Sequence, residues 1–130
     1  MAKKLNRTPA ELELKILKVS WRNGPLRVRD VRQQLADQGR DLAHTTIVNT
    51  LNNMVDKGFV KRTPYRNAYI FEARAKEEDV SKGMLSEFVN RVFDGSAVSL
   101  LLNLIDSEQV DSKEYAELRR LINKRAKEKK

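Results

Sequence analysis

Residues 42–72 read LAHTTIVNTLNNMVDKGFVKRTPYRNAYIFE, and the fold turns on this stretch. Ile47, Leu51 and Met54, with Val55, recur at helical spacing, so a helix from about Ala43 or His44 to Asp56 buries one face. Lys57-Gly58 ends it, because glycine adopts the left-handed conformation that closes a helix. Phe59-Val60-Lys61-Arg62-Thr63 and Ala68-Tyr69-Ile70-Phe71-Glu72 then predict two strands, connected by Pro64-Tyr65-Arg66-Asn67. The far face of the helix is polar but nearly uncharged. Asparagine bonds an adenine edge through both donor and acceptor, threonine bonds a base or packs its methyl on thymine, and a helix start holds a phosphate. The residues expected to contact DNA are therefore His44, Thr45, Thr46, Asn49, Thr50, Asn52 and Asn53 on the helix, with Lys61, Arg62, Arg66 and Asn67 on the hairpin. The alternative is that Thr45 and Thr46 only cap the helix and the asparagines are surface filler. Asparagine is a poor helix former, which makes Asn49, Asn52 and Asn53 costly as filler.

Upstream, Thr8-Pro9-Ala10-Glu11 predicts a helix start, with Thr8 as N-cap, Pro9 in the first helical position and Glu11 closing a capping box. Leu12, Ile16, Leu17, Val19 and Trp21 follow at helical spacing, and Asn23-Gly24-Pro25 stops the run. Trp21 reads as core filler rather than a stacking platform. Leu26 allows a strand of one or two residues before a second helix, from Val28 to about Ala36, that buries Val31 and Leu35 and stops at Gly39. Two helices joined by a short turn containing glycine form a helix-turn-helix, and the hairpin behind them completes a winged helix.

The remainder differs in character. A helix starting near Lys76 carries Val80, Met84, Leu85, Phe88, Val89, Val92 and Phe93, and Asp94-Gly95-Ser96 breaks it. Residues 97–105 are apolar almost all round, and Asp111 with Glu114 opens a last helix that buries Tyr115, Leu118, Leu121 and Ile122 before fraying into a basic, solvated tail from Asn123. Three such helices cannot close a core within about 50 residues, so a two-fold dimer that shares the core is expected, built on Met84, Phe88, Val92, Leu101, Leu104, Ile105, Leu118, Leu121 and Ile122. Packing against the chain's own first domain is the alternative. The expected organisation is mainly α with a small β-hairpin: a winged helix-turn-helix over residues 1–73, and a three-helix dimerisation region with a basic tail over 74–130.

Composition limits the function classes. The net charge of +8 is unevenly placed: residues 1–72 hold 14 Lys/Arg against 7 Asp/Glu, whereas 73–122 hold 7 against 10. A basic first half suits a polyanion. Charged residues make up 34% and aromatics 6%, which fits helices with solvated faces better than a large interior. There is no apolar run of about 18 residues, and Met1-Ala2-Lys3-Lys4 leads into polar sequence, so neither a membrane span nor a secretory signal is expected and the protein reads as cytoplasmic. With one His, no Cys, no glycine-rich phosphate loop and no HExxH, neither an enzyme, a cofactor nor a metal site is implied.

Several segments in order resemble the penicillinase repressor family, the BlaI/MecI type of winged-helix repressors: Thr8-Pro9-Ala10-Glu11-Leu12-Glu13, Trp21-Arg22-Asn23-Gly24-Pro25, Val28-Arg29-Asp30-Val31, Leu42-Ala43-His44-Thr45-Thr46-Ile47, Lys57-Gly58-Phe59-Val60, Phe93-Asp94-Gly95-Ser96 and Glu117-Leu118-Arg119-Arg120-Leu121-Ile122. The resemblance implies a homodimeric repressor on a palindromic operator, dimerised through its C-terminal helices. It also implies release by a regulatory peptidase at an Asn-Phe bond in that region. The matching position here is Asn103-Leu104, which agrees in the first residue and departs in the second. Copper-responsive relatives carry a C-terminal cysteine cluster that is missing here. A protein-interaction module without specific DNA binding is the competing reading.

Overall fold

Helix α1 (Glu11–Asn23) does not begin where the threonine cap would put it. In the computed structural model, which describes residues 8–129, Ala10 is the N-cap, in extended conformation (φ −68°, ψ 166°), and Glu13 at the third helical position reaches back to accept the Ala10 N–H at 2.9 Å. The expected Thr8–Glu11 box is thus displaced by two residues. Glu13 is itself buried and accepts from Lys57 Nζ at 2.9 Å, so the start of α1 is tied to the end of a later helix. A buried carboxylate needs such partners, since removal from water without them costs several kcal/mol (about 3–5 when one partner of a buried pair is lost).

Strand β1 (Leu26–Arg27) leads directly into α2 (Val28–Asp37), whose first turn is closed by Asp30 accepting the Arg27 N–H at 3.1 Å. Next comes α3 (His44–Lys57), capped at its C-terminus by Gly58 at φ +84°. Strands β2 (Val60–Tyr65) and β3 (Ala68–Ala73) form the hairpin, and β1 joins the far side of β3, giving an antiparallel sheet in the order β1-β3-β2. The register pairs Leu26 with Phe71, Val60 with Ala73 and Tyr65 with Ala68. The connection is therefore shorter than expected. Pro64 and Tyr65 belong to β2, and only Arg66 and Asn67 turn. Pro64 is tolerated because β2 is an edge strand and needs no ladder bond from that nitrogen on its open side.

The core assembles from one face of each element: Ile16, Leu17 and Val19 of α1, Val31 and Leu35 of α2, Ile47, Leu51 and Met54 of α3, and Phe59, Val60 and Phe71 at the root of the hairpin. Two polar ties join α1 to the end of β3. Ser20 Oγ accepts the Ala73 N–H at 2.9 Å, and Trp21 Nε1 donates to the Ala75 carbonyl at 2.8 Å. Trp21 packs, half-buried, against the core, and its indole N–H is satisfied there.

Helix α4 (Glu77–Val92) divides its loyalties. Ala75 and Val80 are buried in the winged-helix core and Met84 packs partly buried against it, and the first compact unit runs to Leu85. The second unit begins at Ser86 and comprises the rest of α4, α5 (Ala97–Asp106) and α6 (Ser112–Glu128). Asp94 at φ +51° and Gly95 at φ +85° break the chain before α5, and Ser96 caps it by accepting the Ser99 N–H at 3.1 Å. Asp111 and Glu114 form the expected reciprocal box at the start of α6, with Asp111 Oδ1 accepting the Glu114 N–H at 2.8 Å. The basic segment after Asn123 does not fray where expected: α6 continues through Glu128, because Lys, Arg, Ala and Glu are good helix formers and Arg125 and Lys127 complement the dipole in the last turn. No residue of α5 or α6 is buried, and Phe88, Val92, Leu101, Ile105, Leu121 and Ile122 are among the exposed large apolar side chains. No single helix among the described residues is long and apolar enough to cross a membrane.

Candidate nucleic-acid interface

The apolar face of α3 is sealed into the core, which forces its other face outward. Ile47, Leu51 and Met54 are 0–1% exposed, whereas His44, Thr45, Thr46, Asn49 and Asn53 are exposed. Ala43 stands at the N-cap with no side-chain bond to the first turn, so neither Thr45 nor Thr46 serves as the cap. The helix thus presents its positive end with two hydroxyls and an imidazole beside it, a geometry that suits an anion.

Other expected contacts prove to be engaged within the chain. Thr50 Oγ1 donates to the Thr46 carbonyl at 2.7 Å, which turns the hydroxyl back along the helix. Asn52 is half-buried, and its Oδ1 accepts from Arg62 Nη1 at 2.9 Å. Lys61 forms a cross-strand ion pair with Glu72 at 3.2 Å. Arg66 occupies the hairpin turn at φ +55° with its guanidinium carbon 5.5 Å from the Tyr65 ring centroid, and Asn67 completes the exposed turn. The structure therefore brings Asn52 and Arg62 together at the junction of helix and hairpin, and sets Arg66 and Asn67 apart at the hairpin tip.

Two features escaped the sequence reading. Tyr65 and Tyr69 are each 45% exposed on the hairpin and each lies beneath an arginine, with the Arg62 guanidinium carbon 4.8 Å from the Tyr69 ring centroid. The signal was the strand register: with a two-residue turn, Arg62 falls diagonal to Tyr69, within reach of a long side chain. The second is the Glu13–Lys57 pair, which a helical wheel of either helix alone cannot show. At the other end of α2, Arg40 Nη1 bonds Glu11 Oε1 at 2.6 Å, and that hydrogen bond, with the attendant charge attraction, holds the Glu11 carboxyl below the usual range.

Arginine at φ +55° is unfavourable for a side chain with a Cβ, and glycine would occupy the turn more cheaply. Arg66→Gly is expected to leave the melting temperature unchanged or slightly raised while lowering affinity for every duplex sequence alike and flattening the salt dependence by about one ion. A salt series on the purified variant reads both effects.

An outward polar helix set on a helix-turn-helix, with a basic hairpin docked beside it, defines a winged-helix DNA-binding protein. Residues 9–124 match the penicillinase repressor family, and the chain belongs to that family of DNA-binding transcriptional repressors. Among its relatives, the penicillinase repressor of Staphylococcus aureus is 23% identical over 111 residues, covering 85% of this chain and 87% of the relative. The methicillin resistance regulatory protein MecI of Mammaliicoccus sciuri is 25% identical over 113 residues, covering 87% and 91%. Among solved structures, the DNA-binding domain of the repressor BlaI superposes with a TM-score of 0.50 at 20% identity, covering 61% of this chain and 93% of that domain. A complex structure of hsRosR-S1 gives 0.51 at 14% identity, covering 94% and 96%.

Proposed function

We propose that this repressor acts in the cytoplasm as a homodimer on a palindromic operator, with α3 of each protomer in a major groove and the hairpin beside it on the phosphates. The observation that carries the reading is the outward face of α3, where Asn49 and Asn53 stand exposed beside an uncapped helix start. That face holds hydrogen-bonding groups suited to base edges and almost no charge, so sequence choice and affinity are divided between helix and hairpin. Dimerisation is supported by the second unit, where α5 and α6 expose apolar side chains that water does not favour and a two-fold copy would cover. Two recognition helices would then meet half-sites about 34–36 Å apart.

Asn49→Ala tests the division of labour. If Asn49 reads a base through two bonds, the variant loses about 1–3 kcal/mol on the preferred duplex and little on random duplex, so its sequence preference relaxes. Equal losses on both, measured side by side in a mobility shift, would remove Asn49 from the reading face.

Release by a regulatory peptidase between Asn103 and Leu104 belongs to the same proposal. Both residues lie inside α5, where Asn103 Nδ2 donates to the Ser99 carbonyl at 2.9 Å. A peptidase that binds its substrate extended reaches this bond only after α5 has unwound around it.

A further inference from the structure

The hairpin register separates its cations into two kinds. Val60, Arg62 and Pro64 of β2 share a face with Tyr69, Phe71 and Ala73 of β3, and that face is the one buried at Val60 and Phe71. Lys61 points the other way and is matched by Glu72 directly opposite, the ordinary arrangement for a solvated strand. Arg62 thus lies on the inner face, where the hairpin leaves the core and meets Asn52 of α3. Its guanidinium is held from two directions: Asn52 Oδ1 takes one Nη1 hydrogen at 2.9 Å, and the Tyr69 ring lies 4.8 Å from the central carbon. The ring attracts the cation through its π face and the amide takes one donor, so most of the five N–H donors remain for a further partner. A planar cation with an open edge fits the paired oxygens of a phosphate.

We propose that Arg62 is a phosphate contact fixed at the joint between recognition helix and wing, and that Asn52 and Tyr69 are positioning residues that hold its guanidinium there. The proposal rests on the DNA-binding reading above and changes the role of one residue in it. Asn52 does not read a base; it aims a neighbour. The device also sets the wing against α3, so that a base contact by the helix and a backbone contact by the wing come in one register.

The test uses the full chain and a random-sequence duplex pool, with affinity followed by fluorescence anisotropy from about 50 to 200 mM salt. Arg62→Gln is expected to make the slope of log affinity against log salt shallower by about one. Arg62→Lys should keep the slope and lose about two- to tenfold in affinity, because the charge remains while the planar fork is gone. Asn52→Ala and Tyr69→Leu should each weaken binding by a similar factor with the slope unchanged, Tyr69→Phe should match the parent, and neither loss should appear when Arg62 is already glutamine. Losses of Asn52→Ala that persist in the Arg62→Gln background, or a slope untouched by Arg62→Gln while the parent binds steeply, would overturn this assignment and leave the DNA-binding reading standing. A parent protein with no salt-dependent binding would overturn both.

Discussion

Replacing Leu101 and Ile105 together with glutamate is expected to convert the protein to a monomer and to lower its affinity for a full palindromic site by about 10²- to 10⁴-fold, the scale of avidity lost when two linked modules separate. The two side chains lie one turn apart on α5 and are 36% and 38% exposed in the single chain, which leaves apolar surface on both for a partner to cover. In a two-fold dimer each substitution is felt twice. Since only a little over a third of each side chain is left for a partner to cover, losing the burial of four of them removes about 2–4 kcal/mol, before the cost of desolvating carboxylates is added. Sedimentation would show the mass halved with helical content retained. A mass unchanged at micromolar protein would show that α5 does not form the interface.

The second large effect concerns Phe59, which is 0% exposed and stands where α3 hands over to the hairpin. Its N–H bonds the Met54 carbonyl at 2.9 Å, and its own carbonyl accepts from the N–H groups of Arg74 at 2.8 Å and Ala75 at 3.2 Å. One residue therefore seals the end of α3 and anchors the chain leaving the hairpin. Phe59→Ala is expected to destabilise the first unit by about 3–5 kcal/mol through lost burial and the cavity left behind. That is a large share of the roughly 5–15 kcal/mol that holds a small domain folded. Chemical denaturation followed by far-UV circular dichroism would show the midpoint fall, and duplex binding would fail at temperatures the parent withstands.

The elements that could be read from the sequence are those whose signal is local. The 3.6-residue spacing of Ile47, Leu51 and Met54 identified both the helix and its inward face, and Gly58 marked its end. The Asp111–Glu114 box opened α6 as expected. What escaped the reading depended on partners far along the chain. Nothing near Thr8 shows that Glu13 will be buried, accept the Ala10 N–H and bond Lys57, yet those contacts set where α1 starts. The apolar residues of α4 also part ways: Val80 enters the winged-helix core, while Phe88 and Val92 remain exposed. A single helical stripe gives no sign of that division. At the interface, the outward placement of Asn49 and Asn53 follows from helix period alone, whereas Asn52 meets Arg62 only because the hairpin folds back against α3. Charge on the hairpin was visible; which cation was paired with Glu72 and which lay over an aromatic ring was not.

The most direct test of the repressor reading is selection of bound sequences from a random duplex pool by the 130-residue chain. A homodimer that reads DNA through α3 should enrich a palindrome whose half-sites are centred about one helical turn apart, or a multiple of it, and the enrichment should fall as salt is raised. No enrichment over the starting pool, or a lone half-site without its inverted copy, would contradict the account.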